Sequence, residues 1–346
     1  MDTNILEKLK NSGLTGRGGG CFNTAEKWSL VEQAEGEEKY VICNASEGEP
    51  GVKKDRHILV HHAGRVIDGM KIALDYLDAS EGIIYLNPDY YLKFKDRLEK
   101  IINEAPIKVF NKPHEAGYCG GEETSALNTI EGKRPEPRLR PPYPPECGLY
   151  GQPTLVNNVE TLYAVSLIAR GEYKKKRFYT LNGDIINERV YEFPESWTIE
   201  TVLKETDNWP KFDFFVQVGG DASGEVLNQN QLRQTVPGSA SITVYSMIKY
   251  DPITLIKGWI DFFALESCGK CTPCREGTYR LHEILNNKEP DWEMFGRILD
   301  TLSDTAFCGL GCAVPNAARS YVKNVLNSHE YTNQLTNLQI ICKKEK

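Results

Sequence analysis

Three cysteines two residues apart, Cys268, Cys271 and Cys274 within SCGKCTPCR, constrain this 346-residue chain more than any other feature. That spacing lets all three sulfurs turn toward one point, and the intervening proline and glycine let backbone amides face them. A cubane iron–sulfur cluster needs such convergent thiolates plus a fourth from elsewhere. Tetrahedral zinc sites favour two separated cysteine pairs over a triplet, so the pattern favours iron–sulfur over zinc. No further cysteine follows within a few residues, so Cys308 or Cys312 has to supply the fourth sulfur. Cys21, Cys43, Cys119, Cys147 and Cys342 are scattered, as small buried hydrophobes are.

Apolar residues make up 40% and charged residues 26% of the chain, which suits a folded protein with a sizeable core. The net charge of -7 argues against a nucleic-acid partner, which needs a basic face. A small anionic ligand held by backbone amides remains compatible with it. No apolar run approaches the roughly 18 residues that span a bilayer, so no direct membrane span is expected. The opening MDTNILEKLKNSG has no apolar core of a signal peptide. The expected location is cytoplasmic, or peripheral on a membrane complex, where ten cysteines do not form a disulfide framework.

Along the chain the pattern changes twice. Residues 1–175 read as α/β: YVICNA and GIIYLN as buried strands, Val66 to Leu77 and 90–104 as helices. Strands alternating with helices predict a parallel sheet. Six prolines between 135 and 145 predict extended backbone lying along the domain surface, followed by a helix in VNNVETLYAVSLIAR. Residues 176–247 read as strands in RFYTLNGDI, RVYEF, FDFFVQVGG and SITVYS, with a helix in WTIETVLKET; this order suits a β-grasp domain. Residues 248–346 read as a helical bundle carrying the cysteines, with helix starts at Asp251-Pro252 and Asp291.

Gly16, Gly18, Gly19 and Gly20 let backbone approach a phosphate. A helix precedes this run and Cys21 takes the third glycine position of a dinucleotide fingerprint, which argues against an ordinary Rossmann site. Glu47, Glu49, Glu122 and Glu123 follow strand-like or glycine-rich stretches, where carboxylates can accept ribose or ribityl hydroxyls. Helix N-terminal charge or a solvated turn would explain them as well. Asn157 and Asn158 form a pair of amides with no turn role of their own. His57 and His61 lie four apart with no metalloprotease motif around them and read as structural.

Taken together, GLTGRGGGCFNTAEKW, NASEGEPGVKKDRHIL, GGEETSALNTIEG, PRLRPPYP, PTLVNNVETL, ESCGKCTPCREGT and FCGLG resemble one family over nearly the whole chain. It is the NADH-binding flavoprotein subunit of respiratory complex I, with relatives in NAD-linked hydrogenases and formate dehydrogenases. The tail FCGLGCAVPNAARSY looks closer to the hydrogenase-type relatives. The resemblance implies a Rossmann-like FMN/NADH domain (1–175), a ubiquitin-like β-grasp domain of the SLBB type (176–247) and a helical bundle with one [4Fe-4S] cluster (248–346). It implies hydride transfer from NADH to FMN, then single electrons to the cluster and on to a thioredoxin-fold [2Fe-2S] subunit and further redox subunits. Carried over by position, Gly16, Gly18 and Gly19 would form the loop around FMN and NADH. Lys27, Asn44, Glu47, Glu122, Asn157 and Asn158 would hold FMN. Glu49 and Glu123 would contact NAD(H), and Phe22 and Tyr143 would stack on adenine. Cys268, Cys271, Cys274 and Cys308 would ligate the cluster.

The chain departs from the family pattern at Cys21, Leu30, Ser46, Arg140 and Tyr143, which stand for Gly, an aromatic, Asp, Lys and Phe. Cys312 adds a thiol one turn beyond Cys308, and relatives carry a longer segment before the glycine loop. Two other readings stay open. One is the diaphorase subunit of an NAD-linked hydrogenase or formate dehydrogenase, with or without electron bifurcation. The other is a non-catalytic scaffold stabilised by metal within a redox complex.

Overall fold

The structure, a computed structural model, describes residues 5–328 and Ile341; Cys342 lies outside them. The chain divides into two compact units, one of residues up to 48 with 53–178, the other of 49–52 with 179 onward.

The first unit is α/β. Its elements are α1 (Ile5–Ser12), α2 (Thr24–Gln33), β1 (Tyr40–Ala45), α3 (Lys54–Leu77), β2 (Glu81–Leu86) and α4 (Pro88–Ile102). Then come β3 (Ile107–Asn111), α5 (Glu123–Ile130), α6 (Pro144–Cys147), β4 (Thr154–Asn158) and α7 (Val159–Ala169). The four strands form a parallel sheet in the order β3-β2-β1-β4. Val41, Ile42, Cys43 and Ala45 are all inaccessible, as expected for a parallel strand covered on both faces. One face packs Ile42, Tyr85 and Val156 against Ala126 and Leu127 of α5. Helices α3 and α7 meet closely at Gly69: a Cβ there would collide with the carbonyl of Leu162.

Three features differ from the sequence-based expectation. Helix α3 starts at Lys54, not Val66, because its first half mixes buried Ile58, Leu59 and Ala63 with charges and three histidines. The apolar stretch expected to be one helix from Val156 divides instead, with Thr154–Asn158 a strand and Asn158 capping α7. The proline-rich segment is not wholly extended, since Pro144–Cys147 form a helical turn. It is pinned beside α5 by Arg138, whose guanidinium donates to Asn128 Oδ1 (2.8 Å) and the Gly148 carbonyl (2.6 Å).

The second unit opens with a five-stranded sheet. Its elements are β5 (Lys176–Gly183, which straddles the boundary), β6 (Arg189–Pro194), α8 (Ile199–Glu205), β7 (Phe214–Val218), β8 (Glu225–Asn228) and β9 (Ser241–Ser246). The order is β6-β5-β9-β7-β8, with β5 and β9 parallel and β7 antiparallel to both its neighbours. Strand β8, only four residues long, was not foreseen in the sequence. Alternation divides the two faces: Phe214, Val216 and Val218 pack with Ile199, Val202 and Leu203 of α8. Phe215 and Val226 point the other way.

That other face meets the helical bundle α9 (Pro252–Glu266), α10 (Thr272–Asn286), α11 (Trp292–Thr305) and α12 (Gly309–Asn324). Phe215 and Val226 share a core with Trp259, Phe263, Phe295 and Tyr321. The expected caps form: Asp251 accepts from Thr254 N (2.8 Å) and Asp291 from Met294 N (2.9 Å). The outer edge of β8 is covered by α12, where Ser320 Oγ accepts from Val226 N (2.8 Å) and Asn324 Nδ2 donates to Val226 O (2.8 Å). No helix among the described residues is long and apolar enough to cross a membrane.

Candidate active site and metal centre

The strand order of the first sheet fixes where a ligand can bind. From β1 the chain runs outward through β2 and β3, then returns to add β4 on the other side. Between β1 and β4 the connections leave in opposite directions, which opens a crevice at the carboxyl ends of the strands. Asn44 of β1 pairs in register with Asn158 of β4, and Cys43 with Asn157, so the three amides stand at that crevice.

The glycine loop is closed on itself. Gly16 N donates to Phe22 O (2.8 Å) and Thr24 N to Leu14 O (3.0 Å). It is tied to the start of α7 by Arg17 N, which donates to Thr161 Oγ1 (2.9 Å). Gly18 lies on Asn158, with an added Cβ only 3.2 Å from the Asn158 Cβ. Gly19 has φ +105°, a conformation that favours glycine, and Cβ atoms on Gly19 and Gly20 would enter open space.

Further charged and amide groups pair with one another in the same unit. Lys27 Nζ contacts Glu123 Oε1 (2.6 Å) and the Val156 carbonyl (3.2 Å). Glu122 caps α5 by accepting from Thr124 N and Ser125 N, both at 2.9 Å, and pairs with Arg140. Arg140 also lies 4.0 Å from Glu123. Asn44 Nδ2 donates to Gly121 O (2.8 Å), and Trp28 Nε1 donates to Asn157 Oδ1 (3.0 Å). Glu47 accepts from Asp55 N (2.7 Å), Arg56 N (3.1 Å) and Tyr90 Oη (2.9 Å). Burial, then the nearby Asp55 carboxylate, push the Glu47 carboxyl up to about 7.

Gly16, Gly18, Gly19, Lys27, Asn44, Glu47, Glu122, Glu123, Asn157 and Asn158 are thus assembled within the first unit. Phe22 and Tyr143 belong to it as well, their side chains exposed. Glu49 is seated differently. It belongs to the second unit, where its carboxylate accepts from Ala222 N (3.1 Å) and Ser223 N (2.9 Å). Sequence inspection overlooked Arg17 and the buried charges Lys54, Asp55 and Glu160. Charge followed by apolar periodicity at 54–67 was the available signal.

In the second unit, Cys271 stands at the N-terminal cap of α10 and Cys308 at that of α12. Cys274 lies in the first turn of α10, its Sγ 3.3 Å from Ser267 Oγ. Burial pushes the Cys274 thiol up to about 11; Ser267 opposes this, and Cys271, Cys308 and Cys268 add to it. All three are therefore its electrostatic neighbours. Arg275 fastens the loop by donating to Gly269 O (2.8 Å). The Cys312 thiol turns instead to the Ala306 carbonyl at 3.5 Å. Among the described residues no three His, Cys, Asp or Glu side chains close on one point as a lone metal ion requires.

These donor sets fit the implied groups. An open glycine cradle beside amides, a lysine and carboxylates suits the phosphate and ribityl hydroxyls of FMN. Thiols at two helix N-termini (Cys271 and Cys274 on α10, Cys308 on α12) and Cys268 in the loop before α10 suit an iron–sulfur cluster, whose inorganic core is larger than a single ion.

Comparison with known proteins agrees with both halves of this chemistry. Residues 9–167 match the Nuo51 FMN-binding domain, and residues 254–331 match the NADH-ubiquinone oxidoreductase-F iron-sulfur binding region. The chain belongs to the family of the F subunits of NADH-quinone oxidoreductases. It is 32% identical to the F 2 subunit of the NADH-quinone oxidoreductase of Rhizobium meliloti, over 92% of this chain and 86% of that protein. It is 31% identical to HndC of the NADP-reducing hydrogenase of Solidesulfovibrio fructosivorans, over 94% of this chain and 75% of the relative. A solved chain of an NAD+-reducing [NiFe]-hydrogenase in the H2-reduced state superposes with a TM-score of 0.86 at 29% identity. The superposition covers all of this chain and 63% of that one.

Proposed function

We propose that this chain is the NADH-oxidising flavoprotein component of a larger redox assembly. When bound, FMN supplies the two-electron to one-electron conversion, taking a hydride from NADH and delivering electrons singly to the [4Fe-4S] cluster. The observation that carries this reading is the crevice between β1 and β4, lined by amides and carboxylates and edged by the glycine loop. Gly16, Gly18 and Gly19 present backbone to the phosphate. Lys27, Asn44, Glu47, Glu122 and Asn157 hold the flavin. Glu123 receives the adenosine ribose, Glu49 contributes to NADH binding, and Phe22 and Tyr143 offer rings to the adenine. Cys268, Cys271, Cys274 and Cys308 are the cluster ligands. No side chain has to act as a base, because hydride transfer moves no separate proton.

Within this reading, residues 1–175, 176–247 and 248–346 act as a Rossmann-like FMN/NADH domain, a ubiquitin-like β-grasp domain and a cluster-bearing bundle. The electron acceptor is a thioredoxin-fold [2Fe-2S] protein. The test is anaerobic purification with flavin and iron analysis. Stoichiometric FMN, about four irons per chain and a visible spectrum bleached by NADH support the reading; colourless protein overturns it and favours a scaffold.

A second reading places the same chemistry in the diaphorase of an NAD-linked hydrogenase or formate dehydrogenase. The tail FCGLGCAVPNAARSY and the likeness to hydrogenase chains favour it. Identifying the proteins that copurify with the chain separates the two.

A further inference from the structure

The first unit buries a lysine and two carboxylates against a half-buried asparagine, Asn158, and the flavin chemistry does not explain their purpose. Lys54 is 1% exposed and Glu160 2%. Lys54 Nζ lies 2.6 Å from Asp55 Oδ1 and 3.2 Å from Glu160 Oε2, and donates to Asn158 Oδ1 at 2.8 Å. Burying such a group is expensive, and breaking one partner out of it is strongly destabilising. A charged cluster of this kind does not improve a core, which points to a role in orienting something else.

Asn158 is what the distances single out. Its Oδ1 accepts from Lys54 Nζ and from Glu160 N (3.0 Å). Its Nδ2 donates to Asp55 Oδ2 (2.7 Å) and to the Asn44 carbonyl (3.4 Å). An asparagine amide has two acceptor sites and two donors, and all four are engaged within the protein. The amide is thereby held in one orientation. Its Cβ, however, is the surface on which Gly18 rests. The neighbouring loop residue, Arg17, is tied three residues further along at Thr161.

We propose that the buried Lys54–Asp55–Glu160 cluster is a positioning device that fixes Asn158 as a pin beneath Gly18, so that the glycine loop is seated before any flavin arrives. Asn158 then serves the site through its Cβ and its cap on α7. The proposal refines the flavin-site reading above and rests on it for its purpose, but its structural content does not depend on bound FMN.

Tryptic cleavage after Arg17 in FMN-free full-length protein tests it, because that bond lies in the seated loop. Cleavage after Arg97, in α4 of the same unit, reports general opening. In Lys54→Met/Glu160→Gln, which removes one charge of each sign, Arg17 cleavage should be about tenfold faster with Arg97 unchanged. The FMN dissociation constant, read by flavin fluorescence, should weaken about tenfold with it. Should that variant not fold, Asn158→Asp carries the test, since it sets a second carboxylate against Asp55. Faster Arg17 cleavage supports the pin. Wild-type cleavage in a folded variant overturns it, as does weaker FMN binding with an unmoved loop, which would make Asn158 a direct contact. Failure of the wild type to bind FMN would overturn the flavin reading, while the cleavage comparison would still decide this one.

Discussion

Lys27 of α2 and Glu123, the first residue of α5, form an ion pair at 2.6 Å, with Lys27 also on the Val156 carbonyl of β4. Glu123 is therefore anchored and half-neutralised, and Arg140 stands 4.0 Å away on its other oxygen. A carboxylate held at this place favours a ribose hydroxyl over a ribose phosphate. The chain should prefer NADH to NADPH, and Glu123→Gln should lower the ratio of their kcat/KM values about tenfold. Steady-state rates with an artificial acceptor measure it; an unchanged ratio removes Glu123 from nucleotide selection.

The raised Glu47 carboxyl predicts a signed pH effect. With a folded value of about 7 against an ordinary 4.5, the folded chain binds more protons than the unfolded one between those pH values. Stability contributed by this group is then complete below about 4.5, falls as pH rises and levels off above 7. Asp55 and Lys54 face the same carboxyl, and Arg56 N and Tyr90 Oη donate to it. His57, lowered by burial and by His61 and His62, acts in the opposite sense. The difference between wild type and Glu47→Gln isolates the effect. Urea unfolding from pH 5 to 8 should show the variant losing less stability across that window.

For the cluster, the contact of the Cys312 thiol makes the distinction. Cys308 is an electrostatic neighbour of Cys274 and Cys312 of Cys271, but the Cys312 thiol is engaged by the Ala306 carbonyl at 3.5 Å. Cys271→Ala and Cys308→Ala should lose iron and the brown absorption while keeping FMN. Cys312→Ala should keep both. Iron loss in Cys312→Ala alone would exchange the two assignments.

Gly311 supplies a packing test of the same centre. A Cβ there would stand 2.6 Å from the Ala306 Cβ and 3.3 Å from the Cys274 Cβ. Gly311→Ala should cost about 1–3 kcal/mol from overpacking and reduce iron per chain, because Cys274 or α12 has to shift. Chemical denaturation and iron analysis read both.

What the sequence disclosed was local. Asp251 and Asp291 cap helices through amides three residues away, so their roles are visible in a short window. The cysteine triplet and the glycine loop are equally compact. The relationships that were hidden join distant residues: Lys54 with Glu160, or Glu49 with Ala222 and Ser223. The Asn157–Asn158 pair looked like part of a helix because the apolar residues beside it continue across the strand-to-helix junction. Only the parallel pairing with β1 turns that stretch into a strand end. Strand β8 was too short for alternation to register, and its edge is protected by Ser320 and Asn324, about a hundred residues on.

At the centre stands the claim that one polypeptide holds a flavin and an iron–sulfur cluster that NADH reduces together. Anaerobic titration of the purified chain with NADH, followed by visible absorption and low-temperature EPR, tests it most directly. Loss of flavin absorption should be accompanied by the signal of a reduced [4Fe-4S] cluster. Flavin bleaching with no cluster signal, or a spectrum indifferent to NADH, would contradict it.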